Sequence, residues 1–202
     1  MRACLTGGIA CGKSLLSHYL NELGVETIDA DDIVHELIPD PAERRRMAAE
    51  VFADPEKRKA LEAKIHPLVK ARIEAFISGV PGNSGISGYS GSSGNSGFSG
   101  HSGDSGIRIA VIPLLFETHW DTEYDIICCV ASERETQISR MMATRGYTRE
   151  EAEARLAAQL PVAEKAAKSH YVIDNNGTAE ELRSKAEEFV KWLQNSMCSP
   201  AR

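Results

Sequence analysis

One octapeptide near the start of the chain dictates most of what can follow it. Gly7-Gly8-Ile9-Ala10-Cys11-Gly12-Lys13-Ser14 satisfies the pattern G-x-x-x-x-G-K-[ST] at every fixed position. Such a run needs a strand before it and a helix after it, so that loop amides and the helix N-terminus aim positive groups at phosphate oxygens. Both flanks are present. Residues 2–6 read as a short strand entering Gly7 directly, while Leu15, Leu16, Tyr19, Leu20 and Leu23 mark one face of a helix from Ser14, closed by Gly24. In this arrangement Lys13 reaches the outer phosphates of a nucleotide and the Ser14 hydroxyl holds Mg²⁺. The expected phosphate-contacting set is Gly8, Ile9, Ala10, Cys11, Gly12, Lys13, Ser14 and Leu15. Cys11 reads as a small filler rather than a redox centre.

Beyond the loop the chain alternates between two periods. Residues 25–29, 107–113, 125–131 and 170–174 are short apolar runs with strand character. Between 42 and 77, Leu61, Ile65, Leu68, Val69, Ile73 and Phe76 recur at helical spacing; Pro55 suits a helix start and Pro67 predicts a kink or break. Residues 132 to 168 are charge-rich and helical, and Leu182, Ala186, Phe189, Val190 and Leu193 predict a closing amphipathic helix. Strands alternating with helices imply a mainly parallel sheet covered on both faces, as one α/β domain over the 202 residues. Residues 83–106 break the pattern with eight consecutive x-Ser-Gly triplets. No proline inside the run favours a collagen-like helix, so the composition predicts a flexible loop without a core of its own.

Composition narrows the function classes. A formal charge of −6 argues against a general nucleic-acid binder. No apolar run approaches the roughly 20 residues that cross a bilayer, and the N-terminus lacks the pattern of a secretory leader. Five cysteines with no C-x-x-C pair read as free thiols, and the expected compartment is the cytoplasm. Between 42 and 77, Lys and Arg outnumber Asp and Glu by nine to six, which suits either an anionic substrate or an ordinary solvated helix face.

The loop alone does not separate kinases from other nucleotide hydrolases. The chain has no Asn-Lys pair for a guanine-reading N-K-x-D motif and no L-S-G-G-Q signature, which leaves the small-molecule kinases. Asp31 follows a strand's carboxyl end, where a carboxylate can orient an acceptor hydroxyl and take its proton; the competing role is to cap the next helix. Asp29 reads as a structural or magnesium-side partner. Pro113 and Glu117 follow another strand in the same way, Glu117 serving a magnesium water or the acceptor, or standing as a surface carboxylate. Arg140, Arg145, Arg149 and Arg155 flank Gly146 as a basic lid would.

Thr6-Gly7-Gly8-Ile9, Ile28-Asp29-Ala30-Asp31, His66-Pro67, Ile112-Pro113-Leu114-Leu115-Phe116-Glu117, Arg155-x-x-x-Gln159 and Val172-Ile173-Asp174-Asn175-Asn176-Gly177 together resemble the dephospho-CoA kinase family, in the family's order and over nearly the whole chain. The resemblance implies a three-layer P-loop kinase fold with a small helical acceptor subdomain and a helical lid. It implies transfer of the ATP γ-phosphoryl group to the ribose 3′-hydroxyl of dephospho-CoA, with ATP and Mg²⁺ as cofactors. It makes Asp31 the base, with Lys13 and Arg140 as its catalytic companions. It places Thr6, Arg44, His66, Leu114, Glu117 and Arg155 toward the acceptor and Asn175 and Gly177 near the adenine; His66 on its own reads as structural. Arg44, Met47 and Phe52 match the family's spacing. Expected partners are the small-molecule substrate alone, with no nucleic acid or membrane, and a monomer or weak homo-oligomer. The chain departs from the pattern in a short 31–44 segment, in the triplet tract, and in carrying Thr144 where the family's second lid arginine falls, with Arg145 beside it. Two rivals remain: another nucleoside or nucleotide kinase, and a nucleotide-binding protein that has lost transfer. Asp31 and the lid arginines argue against the second.

Overall fold

The computed structural model describes residues 1–44, 46–47, 54–79 and 106–198. The triplet tract expected to be a flexible loop, and Phe52, lie outside these residues apart from Gly106. Strand β1 (Ala3–Gly7) is the axis of a five-stranded sheet. It pairs with β3 (Arg108–Val111) on one side and β4 (Ile126–Ala131) on the other, with Leu5 opposite both Val111 and Cys128. Strands β2 (Glu26–Asp29) and β5 (Tyr171–Asp174) form the edges, so the order is β2-β3-β1-β4-β5 and every pairing is parallel.

A parallel sheet needs cover on both faces, and alternation along the strands supplies two cores. Ala3, Leu5, Ile109, Val111, Cys128 and Val130 pack with Leu16 and Leu20 of α1 (Lys13–Glu22) and with Leu182, Phe189 and Leu193 of α7 (Ala179–Cys198). Cys4, Ala110, Ile112 and Ile127 face the other way, toward Ile33 of α2 (Ala30–Leu37) and Val69 and Ile73 of α3 (Pro55–Ile77). These layers are the expected three-layer α/β architecture. Helices α2 and α3, with Leu115, Phe116 and Trp120 from the turn after β3, form the helical layer on this face, where the sequence placed a small helical subdomain.

Two local expectations need correction. Pro67 does not break its helix: α3 runs unbroken through it for 23 residues. Pro67 sits on the exposed side, where the carbonyl it deprives of a donor meets water, while Val69 and Ile73 bury the opposite side in the core. Leu15 and Leu68 do not share their helices' buried stripes; they are 39% and 52% exposed.

The charge-rich stretch after β4 resolves into α4 (Arg134–Arg145), α5 (Arg149–Ala157) and α6 (Val162–Ala167). Gly146 ends α4 at φ +66, a left-handed conformation that glycine adopts without penalty, and a Thr148–Glu151 capping box starts α5. Ile138, Met141 and Ala152 form a small third core in this hairpin, against which Ile9 and Ala10 of the phosphate loop pack. No helix among the described residues is long and apolar enough to cross a membrane.

Candidate active site

All five strands run parallel, so their carboxyl ends share one edge, and a ligand site belongs beside the strand where the connections change direction. That strand is β1, and the loop from Gly8 to Gly12 leaves its end. Gly12 stands at φ +90 as the N-cap of α1, with no side chain capping the first turn and no acidic residue in it. The open amides of that turn suit an anion. Ala10 also lies in the left-handed region, at φ +58, so the loop winds tightly enough to turn several N–H groups inward. The Lys13 ammonium curls over it and donates to the carbonyls of Gly7 at 3.0 Å and Gly8 at 2.9 Å. Burial pulls its pKa down, with Cys11, Asp31 and Asp29 opposing and Lys165 adding to the fall.

Side chains from the β4–β5 half of the sheet hold this loop. Gln137 donates to the Ile9 carbonyl at 2.6 Å, the Ile9 amide donates to Gln159 Oε1 at 3.2 Å, and Asn175 Nδ2 donates to the Cys11 carbonyl at 2.8 Å. Arg140 Nη1 donates to Ser132 Oγ at 3.1 Å and reaches the Ala10 carbonyl at 3.4 Å. Ser132 in turn donates to the Asn175 carbonyl at 2.7 Å. Cys11 is fully buried and burial raises its thiol pKa, as a filler requires. Beside the loop lies an open cleft of about 660 Å³, lined by Gly8, Ser132, Glu133, Gln137, Leu156 and Asn176 among others. Asn175 was expected near a base, but it is only 5% exposed and braces the loop from behind, while its neighbour Asn176 lines the cleft.

The β2–β3 half supplies carboxylates. Asp29 is the N-cap of α2, its Oδ1 accepting from the Asp31 amide at 2.8 Å. Capping therefore falls to Asp29, and Asp31 occupies the first turn with its own carboxylate unclaimed by that cap. Burial pushes the Asp29 pKa up to about 6, and Asp31 and Asp32 reinforce the rise against the amide bond and Lys13. The Asp31 pKa is also raised, by loss of hydration and by Asp32, against the pull of Lys13, His35 and Arg145. The structure thus brings Lys13, Asp29, Asp31 and Arg145 into one electrostatic neighbourhood. Of the four arginines expected in the lid, Arg145 is the one whose charge acts on Asp31. Arg149 is engaged with Glu135 at 2.6 Å and Glu153 at 3.1 Å, and Arg155 stacks 4.3 Å over the Tyr147 ring.

The remaining expected acceptor residues scatter. Leu114 is 36% exposed at the rim. Thr6 is fully buried in β1 with its hydroxyl 3.5 Å from the Pro113 carbonyl, so it is not open to a substrate. Arg44 caps the end of α2 through the carbonyls of Ile38, Pro39 and His35. His66 packs edge-on against Trp120 at 5.1 Å, and burial lowers its pKa. Glu117 Oε1 pairs with Lys165 at 2.7 Å and accepts from the Leu160 amide at 3.0 Å, which removes the surface-carboxylate reading. Lys165, Gln137 and Ser132 were not legible as site residues. Each is a lone polar position in a charge-rich helical stretch, with no motif around it.

Magnesium asks for oxygen donors and usually takes only one or two from protein, the rest from phosphates and water. The exposed Ser14 hydroxyl in the first turn of α1 and the nearby Asp29 and Asp31 carboxylates fit that requirement. No cluster of three or more His, Cys, Asp or Glu able to hold a metal occurs among the described residues.

A phosphate loop at the central strand, carboxylates at the end of β2 and an arginine-bearing helical hairpin over both define a P-loop phosphotransferase of the small-molecule kinase class. The family model described as dephospho-CoA kinase matches residues 1–43 and 101–181, and the chain belongs to that family. A dephospho-CoA kinase of Geobacter sulfurreducens is 37% identical over 211 aligned positions, covering 92% of this chain and 94% of the relative. One from Geobacillus kaustophilus is 32% identical, covering 93% and 94%. Among solved structures, a Thermus thermophilus protein superposes with a TM-score of 0.71 at 28% identity, covering 96% of this chain and 99% of that one. A shikimate kinase of Acinetobacter baumannii, 14% identical with a TM-score of 0.58 and covering 98% and 95%, shares the fold.

Proposed function

We propose that this chain transfers the γ-phosphoryl group of ATP to the ribose 3′-hydroxyl of dephospho-CoA, giving ADP and coenzyme A. The observation that carries this reading is an Asp31 carboxylate left uncommitted by helix capping and within the electrostatic reach of Lys13, in a chain of the dephospho-CoA kinase family. Phosphoryl transfer needs little covalent help from protein; positioning and charge neutralisation supply most of the rate. The adenine end of ATP enters the cleft beside Ser132, Glu133 and Asn176, and the loop amides take its phosphates. Ser14, with Asp29, would hold Mg²⁺, which would supply positive charge to the phosphates during transfer.

Asp31 orients the 3′-hydroxyl and accepts its proton as the oxygen bonds to the γ-phosphorus. The bond to the β,γ-bridging oxygen breaks, and ADP departs with the electron pair. A base works best when its pKa approaches the working pH, and the upward shift at Asp31 has that direction. Lys13 and the lid arginines balance the charge on the moving group. Four described cysteines are free and buried, which suits a reducing compartment such as the cytoplasm.

The test is ADP release measured with dephospho-CoA and with a panel of nucleosides and nucleoside monophosphates. The expected result is a kcat/KM for dephospho-CoA at least tenfold above any other acceptor. Preference for a nucleoside monophosphate overturns the reading.

A further inference from the structure

Lys165 is the charged side chain wholly removed from solvent among the described residues, and nothing in the mechanism above uses it. Its ammonium donates to the Pro113 carbonyl at 2.8 Å and pairs with Glu117 Oε1 at 2.7 Å. Lysine is almost never fully buried without a partner, and a buried ion pair is weak evidence of a stabilising role because packed apolar side chains often serve as well. The location is more informative than the pairing. Both acceptors belong to the turn after β3, which presents Leu114 at the rim. The Pro113 carbonyl also receives the Thr6 hydroxyl, so the anchor adjoins the strand that carries the phosphate loop. Just before α6, Gln159 accepts from the Ile9 amide of that loop, while the next residue, Leu160, donates its amide to Glu117. One short turn therefore grips the donor loop with one residue and the acceptor turn with the next, and Lys165 closes the second grip. Glu117 Oε2 is buried with no donor among the described residues, so Lys165 and the Leu160 amide, both on Oε1, are what hold this carboxylate in place.

We propose that Lys165 is a positioning residue for the acceptor: it fixes the turn carrying Leu114 and Glu117 against the end of β1 and never touches substrate itself. The proposal rests on the dephospho-CoA reading of the site. It is tested by steady-state kinetics on the full chain with Lys165→Met, Lys165→Arg, Glu117→Gln and the double variant Lys165→Met/Glu117→Gln. Lys165→Met should raise KM for dephospho-CoA at least tenfold while KM for ATP stays within threefold, and Lys165→Arg should recover most of the loss. The double variant should be no worse than Lys165→Met, since both changes remove one contact. If Lys165→Met leaves Glu117 charged in the interior and fails to fold, the double variant carries the test, because it contains no unpaired charge and must show the same tenfold split. Equal rises in the two KM values, additive losses, or wild-type kinetics in the double variant overturn the proposal. Failure of the wild-type chain to phosphorylate dephospho-CoA would instead overturn the functional reading, before any variant is made.

Discussion

Replacing Gly12 with alanine tests how the phosphate loop is held in shape. Gly12 lies at φ +90, and holding a residue with a β-carbon in that region costs about 1–3 kcal/mol. The new β-carbon would also overlap the amide of Asn175. That amide is buried and donates to the Cys11 carbonyl at 2.8 Å, so displacing it strands a buried acceptor, at about 1–3 kcal/mol. The two effects sum to about 2–6 kcal/mol, and at about 2–4 °C per kcal/mol for a domain of this size the melting temperature should fall by roughly 4–24 °C. Asn175→Ala alone loses only the second contribution. In Gly12→Ala/Asn175→Ala the overlap has vanished and the same hydrogen bond is lost once, so the double variant should melt close to Gly12→Ala. The shortfall from additivity should be about 1–3 kcal/mol, or roughly 2–12 °C. Thermal unfolding of the four proteins, followed by circular dichroism without nucleotide, measures it. Strictly additive losses would show that Asn175 does not brace the loop.

Other perturbations reach the chemistry directly. Lys13→Ala removes the cation nearest the phosphates, and kcat should drop roughly 100- to 1000-fold in a folded protein, checked by coupled ADP release. Asp31→Asn should lower kcat by about 100- to 10,000-fold with little change in KM for ATP; loss of ATP binding with kcat retained would assign Asp31 to the metal instead. Asp29→Asn keeps a good N-cap but removes a carboxyl whose pKa rises from 3.8 to about 6 on folding. The stability that the protonated group supplies is full below about pH 4 and is lost as pH rises through 6. The variant's melting temperature relative to wild type should therefore climb between pH 4 and 6 and then level off, whereas a flat difference would refute the shift.

The sheet and the phosphate loop were legible because both rest on local signals: strand–loop–helix around Gly7 to Ser14, and apolar runs set between helical periods. Asp31 was expected just past a strand end, and it lies two residues beyond β2 in the first turn of α2, with Asp29 rather than Asp31 capping that helix. Parity defeated the reading of Asn175. Successive side chains leaving a strand point to opposite sides, so Asn175 turns under the loop and Asn176 into the cleft, and nothing in Asn-Asn says which is which. Arg44 falls on the expected spacing but spends its donors on the end of α2. Lys165 was hidden because a lysine in a charged helix is ordinarily solvated; only the fold reveals that its helix lies under the turn after β3.

The strand order explains why the two halves of the site can be built separately and still meet. Everything that braces the loop and lines the nucleotide cleft, from Ser132 and Gln137 to Asn175 and Asn176, comes from β4, β5 and the segments that follow them. The acceptor side, Asp29, Asp31, Pro113 and Glu117, comes from β2, β3 and their turns. With β1 between the pairs, the phosphate loop leaves the strand that borders both halves, and on the proposed reaction the transferred group crosses in front of it. A lid rooted on the acceptor side would bring no charge to the nucleotide, and one confined to the nucleotide side would leave Asp31 to Lys13 and His35 alone. The α4–α5 hairpin springs from β4, lays Ile138 and Met141 near Ile9 and Ala10, and brings Arg145 close enough to oppose, as the smallest of several contributions, the rise in the pKa of Asp31. Arg140 and Arg145, five residues apart on α4, therefore act in different ways: Arg140 meets Ser132 in a directed hydrogen bond, whereas Arg145 reaches Asp31 through charge alone, which tolerates an offset of one residue.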